Sequence, residues 1–350
     1  MNRAPLREKL HLSGIDSTAA SLARRYGLGF EITAFCMASA LEDSAAASAA
    51  EAETADLDRL WLHAPFAELH PCAIDPLVRE IAARRYRQTI AMARRLNVKR
   101  IVIHDGYVPF VYFPEWFVEQ SVAFWRGFLP EVPEDMTIAL ENVMDDGPDM
   151  LAAIMKGVDD PRLGVCLDVG HANTTVSKTP PMDWIAPLAP WLRHVHIHNN
   201  FGGWDLHNPL GEGEIPMEQV LDTLLTACPA ATYTIENMNC VPSLDWLAAQ
   251  GYLGGITLRP SRNCTHISHP SDRRTRPPWP PPAAVRQSWP SRREALAGWR
   301  RWPSAWRASR ARSARRSESA VWRCSPPTTA WWPRGCPARP SPSPCGRRST

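Results

Sequence analysis

The sequence predicts a (β/α)8 barrel, a parallel sheet closed on itself and wrapped by helices. Two observations carry this. Eight short strand-like runs alternate with helical segments between residues 10 and 253, the pattern of parallel strands joined by crossover helices. Most of the runs also end in a His or a carboxylate at their C-terminal edge, where barrels collect their functional groups. An open, doubly wound sheet is the weaker alternative, and no G-x-G-x-x-G follows any run. The usual sign of a dinucleotide site is missing, so no nucleotide cofactor is expected.

The elements follow in order. Residues 10–13 are a short apolar run, a helical pattern passes through Ala20, Leu22 and Tyr26, and residues 29–35 are again strand-like. The Ala-rich, acidic stretch 37–56 has strong helix propensity and fits either a helix or a loop that carries one. Residues 60–65 form the third run, 76–96 repeat with a helical period, 100–105 are an apolar strand, and 116–129 an apolar helix. The alternation continues with strands at 137–143, 163–169, 192–198 and 232–238, and helices at 148–156, 182–188, 216–226 and 243–250. Trp116, Phe117, Phe124 and Trp125 share helical spacing that suits a core-facing stripe.

Composition divides the chain after residue 253. Residues 254–350 hold 20 Arg, no Lys, eight Trp and three acidic residues, leaving about −14 on the preceding barrel. Such a barrel has no basic face for nucleic acid, whereas the tail by itself would bind polyanions without selectivity. The domains are therefore a barrel at 1–253 and an Arg/Pro/Trp-rich tail at 254–350, expected to be disordered. The tail's composition fits a GC-rich reading frame translated out of register better than a selected linker. Nine cysteines without a C-x-x-C pair argue against a disulfide framework and a cysteine-only zinc site. The first ten residues lack the apolar core of a signal peptide, and no run reaches the length of a membrane span. A cytoplasmic location away from membranes is the expectation.

The strand period of two sorts the polar residues by face. Ile101 and Ile103 oppose Val102 and His104; Ile138 and Leu140 oppose Thr137, Ala139 and Glu141; Val165 and Leu167 oppose Cys166 and Asp168; Tyr233 and Ile235 oppose Thr232, Thr234 and Glu236. Leu60 and Leu62 likewise oppose Trp61 and His63, and His194, His196 and His198 share one inward face. Any one of these polar residues by itself reads as a loop anchor. Three carboxylates, Glu141, Asp168 and Glu236, brought to one mouth repel each other and call for a cation. Carboxylates with imidazole suit Zn²⁺, Mn²⁺ or Co²⁺.

The runs LHAPF at 62–66, IVIHDG at 101–106, LEN at 140–142, GVCLDVGHAN at 164–173, HVHIHNN at 194–200, DLHNPLGEGEI at 205–215 and TIENM at 234–238 resemble the xylose isomerase-like barrel superfamily. That group includes sugar and sugar-phosphate isomerases and epimerases and the apurinic endonuclease IV family, and the likeness covers residues 10–253. It implies that Glu141, Asp168, His196 and Glu236 hold a central divalent metal. It places His63, His104, His171, Asp205 and His207 on positions that hold further zinc ions in the endonuclease branch and serve substrate or a second site in isomerase-type relatives. In HVHIHNN, His196 is taken as the ligand and His194 as a deeper core residue; His198 also faces inward, and Asn199 stands where many relatives have Asp.

By this resemblance the chain is a divalent-metal-dependent isomerase or epimerase acting on a small-molecule sugar or sugar phosphate. Glu141 and Glu236 would exchange a proton through a metal-stabilised enediolate, and His207 and His104 would bind hydroxyls. The alternative is a zinc phosphodiesterase acting at abasic DNA, and a third reading is a metal-binding barrel without catalysis. Against the DNA reading stand the acidic barrel and the run from Val169 to Asn173, which is closer to the isomerase branch. Phe66 suits either substrate contact or packing under a loop, Gly211 and Gly213 suit a tight turn, and Glu212 suits bracing of that loop.

Overall fold

The computed structural model describes residue 3 and residues 6–254. The expectations for a tail beyond residue 254, including an out-of-register frame, lie outside the described residues. A single helical turn, α1 (Leu6–Lys9), leads into β1 (Leu10–Ser13), and seven further strands follow: β2 (Gly29–Ile32), β3 (Leu60–His63), β4 (Arg100–His104), β5 (Thr137–Glu141), β6 (Leu163–Asp168), β7 (Leu192–Ile197) and β8 (Thr232–Ile235). Each pairs in parallel with the next, and β8 closes on β1 with Leu10 opposite Tyr233. The sheet is the predicted closed barrel.

Between and after the strands lie α2 (Ala19–Tyr26), α3 (Ser44–Thr54), α4 (Pro76–Arg95), α5 (Pro114–Phe128), α6 (Asp149–Val158), α7 (Pro181–Leu188), α8 (Met217–Ala227) and α9 (Val241–Ala249). Their starts follow local chemistry. The Asp43 and Asp75 side chains accept the Ala45 and Leu77 N–H groups, each at 2.8 Å, capping α3 and α4. Pro76 and Pro114 open their helices, where a missing N–H costs nothing. The stretch 37–56 resolves into a 3-10 turn (Ala38–Glu42) and α3, divided at the Asp43 cap. Several strands stop short of their sequence runs: β2 ends at Ile32, β3 at His63, β5 at Glu141 and β8 at Ile235.

The two faces of the sheet separate as the period of two demands. Ile101, Ile103, Ile138, Leu140, Val165 and Leu167 join the continuous layer between sheet and helices, while Trp61, Val102, Ala139 and Cys166 form a separate small cluster inside the barrel. Phe117 and Trp125 are buried in the outer layer, and Trp116 and Phe124 pack partly buried against it. This supports the reading of those four residues as core.

Much of the inner filling is polar. The Trp61 ring stacks on His194 at 4.2 Å and its indole N–H donates to the Thr232 hydroxyl at 3.0 Å. Gly29 serves this interior: a Cβ there would lie 2.2 Å from the His11 ring. The five described cysteines are free, and no described helix is long and apolar enough to cross a membrane.

Candidate metal centre

The strand ends bring the expected residues to one mouth. His63, His104, Glu141 and Asp168 are the last residues of β3, β4, β5 and β6; His196 is next to last in β7, and Glu236 directly follows β8. His171 stands on the 3-10 turn after β6, and Asp205 and His207 on the long loop after β7.

His196 lies at the centre. Its Nδ1 is 3.2 Å from Glu141 Oε1, 3.2 Å from Glu236 Oε2 and 3.7 Å from Asp168 Oδ2. One donor atom from each of these four residues lies within 4.8 Å of the others. Glu141 also joins a neighbouring group, its Oε2 lying 3.3 Å from His63 Nε2 and 3.5 Å from His104 Nε2. On the other side Asp205 Oδ2 is 2.7 Å from His207 Nε2 and 3.3 Å from His171 Nε2.

His198, which the sequence shows only as inward-facing, completes this second flank. Its Nε2 is 3.0 Å from Asp168 Oδ1 and 3.7 Å from Asp205 Oδ1, and its ring stacks on His207 at 4.2 Å. With Asp205 and His207 it forms the tight donor group on that side.

Three of the histidines are oriented the same way. One ring nitrogen donates to a backbone carbonyl: His63 Nδ1 to Ala64 at 2.8 Å, His171 Nδ1 to Asn142 at 2.9 Å, and His207 Nδ1 to Glu236 at 2.8 Å. The other nitrogen is thereby aimed at the carboxylates, as metal-binding imidazoles are held.

The charges show how closely the groups are coupled. Burial opposes ionisation of Glu141, Asp168 and Glu236, yet the surrounding histidines hold all three carboxyls below their ordinary range. Burial equally opposes protonation of His207, but its bond to Asp205 raises it to about 9. At His104 burial wins and lowers the imidazole to about 4. A packed set of anionic oxygens balanced by imidazolium protons is a donor set that a divalent cation fits, since the cation can replace those protons.

The loops are fixed by side-chain amides. Asn142 donates to the Asp168 carbonyl at 3.0 Å and accepts the Asp168 N–H at 2.8 Å. Asn199 donates to Leu210 O and Asn237 to His207 O. Gly211 lies in the expected tight turn, closed by the Glu212 N–H on the Pro209 carbonyl at 2.8 Å, and both glycines also permit close packing: a Cβ at Gly211 would lie 2.7 Å from Trp246, and one at Gly213 2.1 Å from Asn199 Oδ1.

Gly170 is tighter still. With φ at −74° it has an ordinary backbone, but a Cβ would lie 1.8 Å from His198 Cε1. Gly170→Ala is expected to lose about 1–3 kcal/mol by urea unfolding, because the ring must leave Asp168. Unchanged stability there would show that the loop yields instead.

The eight loops that form the mouth are poor in cations. Their one Lys or Arg is Lys178, held by Asp146 at 2.7 Å. Basic residues gather at the opposite end, where Arg59, Lys99 and Arg162 each immediately precede a strand. The rim instead exposes Phe110, Phe113, Phe201 and Trp204, and the half-exposed Phe66 stacks on His104 at 4.6 Å.

Sequence reasoning missed Glu31, which is wholly buried on β2 and bonded to His194 and His196. Its signal was a carboxylate on the inner face of a strand. It also missed Asp105 and Asp145, two buried carboxyls just outside the centre.

Known proteins bear on these features. The chain is 31% identical to an uncharacterized protein of Methanocaldococcus jannaschii over 51% of its own length and 64% of that protein. It is 29% identical to the "Probable endonuclease 4" of Akkermansia muciniphila over 45% and 62%. It thus spans less than two thirds of each of these relatives. Among solved structures, a D-tagatose 3-epimerase-like protein matches with TM-score 0.59 and 23% identity, over 70% of this chain and 97% of that one. A Thermus thermophilus protein whose crystal was soaked with ZnCl2 matches with TM-score 0.57 and 26% identity, over 69% and 97%. The family described as xylose isomerase-like TIM barrel matches residues 21–236, and the chain belongs to that family.

Proposed function

We propose that the chain is a divalent-metal-dependent isomerase or epimerase of a small, uncharged sugar. The observation that carries this reading is the convergence of Glu141, Asp168, Glu236 and His196 Nδ1 at the barrel mouth. These four would hold the central metal, with His63, His104, His171, Asp205 and His207, together with His198, flanking it as further ligands or substrate contacts. When bound, the metal supplies positive charge beside the sugar's carbonyl and neighbouring hydroxyl oxygens, which lowers the cost of removing a proton from the adjacent carbon.

The protein's own groups then divide the work. Glu236, the more open of the two glutamates, and Glu141, enclosed by histidines, come from different sides of the mouth, at the ends of β8 and β5. One takes the proton from carbon and the other returns one to the enediol, so a ketose is reprotonated on the other face or on the neighbouring carbon. His207 and His104, at the edge of the centre, would hydrogen-bond hydroxyls. Trp204, Phe201 and the Phe66 ring offer flat apolar surfaces for the sugar's C–H face.

The flanking donor groups favour a second reading, zinc-dependent hydrolysis at abasic DNA, because Glu141 and Asp205 tie further imidazoles to the centre. Against it stands the mouth itself. Phosphate-backbone binding depends on Lys and Arg, and the described loops there hold only the paired Lys178. The same scarcity favours a free sugar over a sugar phosphate.

The test uses the full-length chain loaded in turn with Mn²⁺, Co²⁺ and Zn²⁺. Free ketoses, ketose phosphates and an abasic-site duplex are offered in D2O. Deuterium incorporated next to the carbonyl of a free ketose, followed by proton NMR, is the expected result. Cleavage of the duplex without exchange would move the second reading to the front. Metal binding with neither activity would leave a non-catalytic metal-binding barrel.

A further inference from the structure

On β2, Phe30 and Ile32 face the helix layer while Glu31 points into the barrel and has no solvent exposure. A carboxylate is costly to bury there unless each oxygen is bonded. Glu31 Oε1 accepts from His196 Nε2 at 3.0 Å; Oε2 accepts from His194 Nε2 at 3.1 Å and from the Thr234 hydroxyl at 2.5 Å. The second support is itself anchored, since His194 Nδ1 meets the Thr232 hydroxyl at 2.7 Å under the Trp61 ring.

His196 needs such a partner. It lies within β7, where backbone carbonyls serve the ladder; its own accepts the Val169 N–H at 3.2 Å. His63, His171 and His207 lie at strand ends or in loops, and each found a carbonyl for its second ring nitrogen. For His196 a side chain from across the barrel does this.

We propose that Glu31 is the positioning residue of the metal centre: by taking His196 Nε2–H it fixes the ring so that Nδ1 faces Glu141, Asp168 and Glu236. This rests on the reading of those residues as metal ligands. A carboxylate acceptor also makes the ligating nitrogen a better donor than a carbonyl would.

The experiment measures Co²⁺ affinity by chelator competition and Co²⁺ absorption on the full chain, with stoichiometry, for wild type, Glu31→Ala, Glu31→Gln and Thr234→Val. Circular dichroism checks folding, and 15N-edited NMR follows the histidine ring N–H protons of the Zn²⁺ form. Glu31→Ala is expected to weaken binding about 10–100-fold at unchanged stoichiometry, with loss of one downfield ring N–H signal. Glu31→Gln, whose amide oxygen still accepts, recovers most of the affinity. Thr234→Val disturbs the same buried network but leaves the His196 bond, and stays near wild type.

Glu31→Ala binding as tightly as wild type overturns the proposal, as does Thr234→Val falling equally far, which marks a packing effect. Fewer ions bound by Glu31→Ala would make Glu31 a ligand and not a support, and also overturns it. No ion bound by wild type would instead sink the metal-centre reading on which the proposal stands. If Glu31→Ala does not fold, Glu31→Gln decides: affinity that follows the ring N–H signal, with retention of both expected, while Thr234→Val keeps both, supports the proposal, whereas full affinity after loss of that signal, or fewer ions bound, rejects it.

Discussion

Glu236→Gln is expected to lower turnover by about 1,000-fold while leaving the fold intact, the scale of removing a general acid or base. The side chain lies at the mouth and has no part in the hydrophobic layers. Its Oε2 faces His196 Nδ1 at 3.2 Å, so the neutral amide gives up both a proton acceptor and one of the charges that define the centre. Divalent-metal affinity should fall together with turnover. Glu141→Gln should be more damaging to stability, because four histidines, His63, His104, His171 and His196, have Glu141 as a carboxylate neighbour. Steady-state kinetics and unfolding curves on the two variants separate these effects. A Glu236→Gln enzyme within tenfold of wild type would falsify the assignment of Glu236 to proton transfer.

Asp105→Asn is expected to stabilise the metal-free protein above pH 6, by about 1–3 kcal/mol. Asp105 and Asp145 are buried carboxyls that interact with one another. Asp105 Oδ1 accepts the Tyr107 N–H at 3.1 Å and Asp145 Oδ2 the Val143 N–H at 3.2 Å, while the remaining oxygens, Asp105 Oδ2 and Asp145 Oδ1, have no hydrogen-bond partner. Burial, reinforced by the Asp145 charge, raises Asp105 well above the carboxylate range; burial raises Asp145 to about 6. A raised carboxyl contributes stability that is fully present below its unfolded value near 4 and lost as pH rises through the folded value. Wild-type stability from this pair should therefore decline as pH rises from about 4 through 6 and beyond. Asn at 105 keeps the oxygen that accepts from Tyr107 and puts a neutral N–H donor in place of the second carboxyl beside Asp145, so the decline should flatten. Thermal unfolding in EDTA from pH 4 to 8 measures both slopes. Parallel curves would mean that the Asp105 carboxyl does not set this pH dependence.

The local pattern in the sequence determined the barrel and most of its mouth. Inward and outward residues of a strand alternate at fixed spacing, so Val102 and Ala139 could be assigned to the interior and Ile101 and Ile138 to the helix layer without coordinates. The same alternation placed His104, Glu141 and Asp168 at strand ends, which any parallel barrel gathers at one rim. Asp43 and Asp75 likewise mark helix starts that local hydrogen bonding dictates. Other features arise only when distant segments meet. Glu31 and His196 are 165 residues apart, and nothing beside either one announces the bond between them. Gly170 reads as a turn residue until the His198 ring is found where its Cβ would stand. Asp105 ends an apolar strand run and Asp145 belongs to no motif, and nothing local announces that the two carboxyls are buried and interact. The sequence by itself therefore determined which residues face the barrel's interior and which lie at its rim, because those depend on periods of a few residues. Only the tertiary structure decided which side chains hold one another in place, because such contacts depend on the closure of the sheet, which brings β2 and β7 within hydrogen-bonding reach across the barrel.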